Sequence, residues 1–199
     1  VFSGTEAGTD YLALYPFQNG AKIENGAFAF SLPEKQQYAE GSFGQGAYPM
    51  VANWSEGLLK FKNLCAVIKI SLTGKDKVNT ITLKANDSKT YMSGLVSVPL
   101  SYTQAPELAM GLGGNNSVTL ECNGVGLVID RATDFFIAVP AQTYKGGFTI
   151  KVETNRGNME KIVAKDVVFD RSQIRELESF EFELEGDIEP SKALQGEGT

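Results

Sequence analysis

From Leu58 to Leu72 apolar and polar residues alternate with a period of two. Leu64, Ala66, Ile68, Ile70 and Leu72 fall on one face, and Cys65, Val67, Lys69 and Ser71 on the other. Such alternation predicts a long strand with one face on a core and the other at least partly in water. The same pattern recurs along the chain. Asp10 to Phe17 reads as a strand stopped by Pro16, and Ala27 to Leu32 as a strand stopped by Pro33. Asn19-Gly20 and Asn25-Gly26 are turn dipeptides. Residues 34–57 are polar and Gly-rich and read as a long loop.

From Val78 onward short strands follow one another: Val78–Leu83, Met92–Val98, Val118–Cys122, Val125–Ile129, Phe135–Val139, Phe148–Glu153 and Glu160–Ala164. Asn123-Gly124 is expected to turn tightly between the third and fourth of these. Strands at this spacing, punctuated by turn residues, predict a sandwich or barrel. One short helix is expected after Asp170, with Gln173 three residues on as a capping box and Ile174 and Leu177 facing the core. A last strand spans Ser179–Glu185, with Phe180, Phe182 and Leu184 on one face and Glu181, Glu183 and Glu185 on the other.

The polar run Gly74-Lys75-Asp76-Lys77 marks the expected domain break. It divides the chain into a partial N-terminal β-sandwich domain, 1–73, a C-terminal β-sandwich domain, 74–186, and a flexible tail, 187–199. About three strands are convincing before the break, and three rarely close a core alone. The first sandwich is therefore expected to be incomplete.

Composition narrows the function. With 42% hydrophobic residues among 199, most of the chain can build a core. A net charge of −6 disfavours phosphate backbones, so nucleic acid is not an expected partner. Histidine is absent, which removes Ser-His-Asp and Cys-His chemistry and the ordinary zinc and copper sites. No catalytic residue, cofactor or metal is expected, and the chain is not read as an enzyme. Cys65 and Cys122 stand far apart in strand-like segments. Two buried thiols, a disulfide and reactive thiols are the competing readings. The longest apolar runs are too short to cross a bilayer as helices. Val1-Phe2-Ser3-Gly4 opens without Met, which reads as a start shortened by processing or by design.

The remaining chemical signals have plain explanations. Gly111-Leu112-Gly113-Gly114 precedes a strand rather than a helix and carries no Lys, unlike a phosphate-cradling loop. The alternating Glu residues of the last strand read as a solvated face. Trp54, the single tryptophan, is either a sugar-stacking residue or packing over a sheet edge.

Several blocks, in order, resemble the fimbrillin family, the type V pilin-like proteins of Bacteroidales surfaces. They are Phe2-Ser3-Gly4 with Asp10 to Phe17, Phe61 to Leu72, Val78 to Leu83 with Ser93-Gly94, Asp134 to Pro140 with Gly147-Phe148-Thr149, and Arg171 to Ile174. The resemblance implies an all-β fold of tandem transthyretin-like β-sandwich domains. It implies export as a lipoprotein, display at the cell surface or outer membrane in a fimbrium, a role in adhesion, and assembly with other pilin subunits by donor-strand exchange. Family members carry further strands upstream of the first block, in agreement with an incomplete first sandwich.

Phe180, Phe182 and Leu184 are the candidate strand-exchange or interface residues, although the same segment reads more simply as the last strand of its own sandwich. The alternative function is a surface glycan- or ligand-binding module, with Trp54 and Tyr48 as candidate stacking residues and Tyr11 and Tyr15 beside them.

Overall fold

The computed structural model describes residues 11–55, 58–100, 105–177 and the backbone of 180–181. In chain order the first strands are β1 (Leu12–Tyr15), β2 (Lys22–Glu24), β3 (Ala27–Leu32) and β4 (Lys35–Gln37), then β5 (Met50–Ser55), β6 (Leu58–Leu59), β7 (Lys62–Asn63) and β8 (Cys65–Thr73). Next come β9 (Lys77–Ala85), β10 (Gly94–Pro99), β11 (Ala109–Met110), β12 (Ser117–Gly126) and β13 (Thr133–Pro140). The last are β14 (Thr143–Tyr144), β15 (Phe148–Thr154), β16 (Asn158–Val163), β17 (Val167–Val168), β18 (Ile174–Glu176) and β19 (Phe180–Glu181). The described residues form no helix. The all-β sandwich architecture expected from the alternation is the architecture observed.

Two cores organise these strands. The larger lies between the sheet β16-β15-β9-β12-β4 and the sheet in which β8 is flanked by β13 and by β18 and β19. It holds Ile68, Ile70, Ile81, Leu83, Phe135, Ile137, Ile150 and Val152, each fully buried. The smaller lies between β1-β5-β6, with β7 also on β5, and the sheet β11-β10-β3-β2. It holds Phe28, Phe30, Leu32, Val51, Leu64, Cys65, Val96 and Val98.

The strand read over 58–72 is broken in three. β6 and β7 pair with β5, and at Leu64, whose N–H donates to Pro49 O at 3.1 Å, the chain leaves that sheet. β8 then begins and pairs antiparallel with β13 from Cys65 to Leu72. Leu64 therefore belongs to the smaller core, while Ala66, Ile68, Ile70 and Leu72 line the larger one. The expected break at 73–77 does not separate the two cores. β4 and β8, which precede it, pack in the larger sandwich, and β10 and β11, which follow it, complete the smaller one. The polar turn at 74–77 simply joins β8 to β9 across one core.

Other local expectations are redrawn by tertiary pairing. Asn25 and Gly26, at φ 50° and 74°, form the β2–β3 hairpin turn as their identities require. Asn123 and Gly124 also take positive φ, 51° and 86°, yet they form a bulge inside β12, which resumes pairing with β9 at Val125. The long loop over 34–57 contains β4 and β5. The helix after Asp170 is replaced by a turn and a strand. Gln173 Oε1 accepts the Asp170 N–H at 3.2 Å, the capping contact, but Ser172 sits at φ 66° and Ile174–Glu176 pair parallel with Val67–Lys69 of β8. Main-chain pairing along a buried strand outweighs one capping bond. The tail, 187–199, lies outside the described residues.

Candidate assembly surface

Among the described residues β1 ends one sheet of the smaller sandwich and β2 ends the other. Residues 16–21 link them, so the two edges border the same side of the core. Alternation fixes which side chains face inward. Leu14 opposes Val51, and Ile23 opposes Phe28, and both partners are core residues. Leu12 shares the face of Leu14.

Inward-facing apolar side chains are normally covered, but here they are not. Ile23 is 61% exposed and Leu12 37% exposed. A groove of about 220 Å³ runs between the edges, lined by Leu14, Phe17, Ala21, Ile23 and Phe28 with Gln18 and Lys22 at its rim. Phe17, just after the turn-forming Pro16, is 89% exposed. Asn53, paired with Leu12, has a buried side-chain oxygen with no hydrogen-bond partner. An apolar floor, two adjacent strand edges and an orphaned acceptor together describe a core with one side open.

The larger sandwich treats its corresponding edge differently. Gln36 of β4 lays its carboxamide against β13, donating from Nε2 to Ala138 O at 2.8 Å and accepting the Ala138 N–H at Oε1 at 3.0 Å. A side chain thereby imitates one rung of a neighbouring strand. On the opposite side of that sheet β18 and β19 pair parallel with β8. The outer face of the partner sheet is a polar lattice: Thr82 and Thr119 hydroxyls lie 3.0 Å apart, Thr80 donates to Glu153, and Lys151 pairs with Glu153 at 2.6 Å. These pairs draw the Glu153 carboxyl below its ordinary range, chiefly through Lys151.

The sequence-derived candidates are placed as follows. Phe180 aligns its backbone with Leu72 of β8, the position of a last strand in its own sandwich, while Phe182 and Leu184 lie outside the described residues. Trp54 is on β5, not in a loop, and meets the edge of Tyr11 at 5.5 Å. Tyr48 packs against the smaller core and Phe43, with ring centroids 4.6 Å apart. The two proposed stacking residues therefore have separate neighbours. Cys65 and Cys122 are free buried thiols in different cores, and burial pushes each up to about 12, so neither is a nucleophile at neutral pH. No group of three or more His, Cys, Asp or Glu among the described residues could hold a metal ion. The groove residues Leu14, Phe17 and Ile23 were not identifiable from sequence, because Ile23 in Lys22-Ile23-Glu24 reads as an ordinary half-buried strand residue.

No family model matches the chain. No curated protein matches it in sequence. Among solved structures it is similar in fold to a protein of Bacteroides ovatus provisionally assigned to cell adhesion, at a TM-score of 0.52 and 12% identity over 86% of this chain and 62% of that one. It is similar also to a protein of Bacteroides uniformis with the same provisional assignment, at a TM-score of 0.51 and 11% identity over 86% of this chain and 67% of that one. The chain thus spans about two thirds of the length of each, and what they share with it is the β-sandwich fold.

Proposed function

We propose that the protein is a structural or accessory subunit of a bacterial surface fimbrium. It serves adhesion, and its smaller sandwich is completed by a strand from another subunit. The observation that carries this reading is the exposure of core-facing Ile23 and Leu12 beside the edges of β1 and β2, which have no partner among the described residues. An inserted strand would gain main-chain bonds along one or both edges and place alternate side chains in the groove. Covering Ile23 alone would contribute roughly 1–2 kcal/mol.

The provisional assignment of both structural neighbours to cell adhesion supports a surface role. The motif order supports fimbrial subunits as partners and a lipid-anchored, outer-membrane precursor. The absence of histidine supports a non-catalytic role.

Light scattering and electron microscopy on the full-length precursor after proteolytic trimming test the reading. Filaments, or stable mixed complexes with other pilins, are expected, and Ile23→Asp should prevent them. A trimmed protein that stays monomeric and binds no pilin would overturn it.

A further inference from the structure

The outward face of the sheet that borders this groove is aromatic. Tyr11, Ala13 and Tyr15 point away from the core, opposite in phase to Leu14. Trp54 faces Tyr11 across the strands, its main-chain N–H donating to the Tyr11 carbonyl O at 2.7 Å, and Ala52 faces Ala13 and Met50 faces Tyr15. Phe61, just before β7, closes on Tyr15 with ring centroids 6.3 Å apart. Two edge-to-face ring pairs result, each with planes at 75°. Tyr11 and Tyr15 are four residues apart, about 13 Å along a strand.

Ala52 lies on this outward face between the two ring pairs and is fully buried. Tyr11, Tyr15, Trp54 and Phe61 all remain exposed. A soluble sheet face open to water normally carries polar residues, as the larger sandwich does, so this face is the anomaly of the molecule.

We infer that the outward aromatic face of β1 and β5, formed by Tyr11, Trp54, Tyr15 and Phe61, is a stacking platform for a neutral oligosaccharide. The chemistry of the face selects that ligand. Exposed aromatic rings stack on the C–H face of a pyranose, and Tyr hydroxyls and the indole N–H are groups that hydrogen-bond sugar hydroxyls. Each edge-to-face pair sets its two rings at 75°, a seat for one sugar ring rather than a flat patch for a protein. The two seats, about 13 Å apart along the strand, suit a chain of several sugars. Among the described residues the platform is neutral: Tyr11, Ala13, Tyr15, Met50, Ala52, Trp54 and Phe61 carry no charge in a chain of net charge −6. An acidic glycan or an anionic lipid surface would find no counter-charge there. The platform is the outer face of the sheet and the groove its edge and inner side, so this site stands whether or not the assembly reading does.

Trp54 is the single tryptophan, so its fluorescence reports the site directly. The full chain is titrated with cellohexaose, chitohexaose and mannohexaose as neutral probes. Polysialic acid, phosphatidylcholine vesicles and buffer alone at rising protein concentration are the comparison arms. A saturable blue shift with at least one neutral oligosaccharide is expected. Tyr11→Ala should weaken it roughly tenfold for the loss of one ring. Ile162→Ala, an exposed change on the larger sandwich, and the assembly-blocking Ile23→Asp should both leave it unchanged. Silence toward all three neutral probes overturns the proposal. So does a shift seen only with vesicles, only with polysialic acid, or only as the protein associates with itself.

Discussion

The two sandwiches of this molecule are built from the same alternating strands but finish their surfaces in opposite ways. The larger closes one sheet edge with the Gln36 carboxamide, extends the other with β18 and β19, and turns threonines, lysines and glutamates to water. The smaller leaves the outer edges of β1 and β2 without a partner among the described residues, exposes Ile23 and Leu12 from its core side, and turns aromatic rings outward. An open edge is a hazard that self-sufficient proteins blunt. The larger sandwich carries exposed Glu160 and Lys161 on its edge strand β16, as that rule expects, while its neighbour leaves apolar side chains bare beside its edges, and this contrast is why the smaller unit is proposed as the interacting half. The chain passes between the units at β3–β4, β4–β5, β7–β8, β9–β10 and β11–β12, so the two are covalently joined at five points.

Four measurements sharpen or break this contrast. The largest effect belongs to the closed core. Phe135→Ala should cost about 4 kcal/mol in urea unfolding, because the ring is fully buried among residues from both sheets. Phe17→Ser, on the open side, should stay within about 0.5 kcal/mol. Comparable losses at the two sites would erase the distinction.

Gln36→Ala comes next, at about 3 kcal/mol, since it strands the N–H and C=O of Ala138 in a buried place. An unchanged unfolding midpoint would show that water or a neighbour replaces the clamp.

Asn53→Leu should act with the opposite sign. It removes an orphaned acceptor and should stabilise the isolated chain by about 1 kcal/mol. Destabilisation would mean that the acceptor already has a partner.

The smallest effect at neutral pH concerns the thiols. Folded Cys65 and Cys122 titrate near 12, against an ordinary value of 9.0, so the folded state holds their protons more tightly than the unfolded chain. Their stabilising contribution is full below about pH 9 and is lost as pH rises toward 12. Thermal melts from pH 7 to 11 should fall more steeply for the wild type than for Cys65→Ala. A thiol reagent at pH 8 should label neither cysteine until the protein unfolds.

Much of the fold was legible where sequence and pairing agree. The Ala27–Leu32 strand, the Asn25-Gly26 hairpin and the alternation from Phe148 to Glu153 appear where expected. Legibility failed where a segment's partner is distant. Three-residue β4 carries no pattern of its own and is held by β12, 84 residues away in the Gln37–Glu121 contact. The strand around 58–72 changes sheets at Leu64 with no break in its hydrophobic rhythm. The candidate site was less legible still. Ile23 is inward-facing by register and exposed because no strand among the described residues covers it, and a periodic pattern encodes the first property but not the second. Trp54 and Tyr11 were recognisable as aromatic, but only the β1–β5 register sets them edge to face.

Hydrogen exchange on the chain before and after assembly tests the central claim most directly. Amides of β1 and β2 are expected to exchange rapidly in the free subunit and to become protected in the filament, while β8 and β13 are protected in both. Filaments that leave β1 and β2 exchanging as before, or that protect β16 and β18 instead, would contradict it.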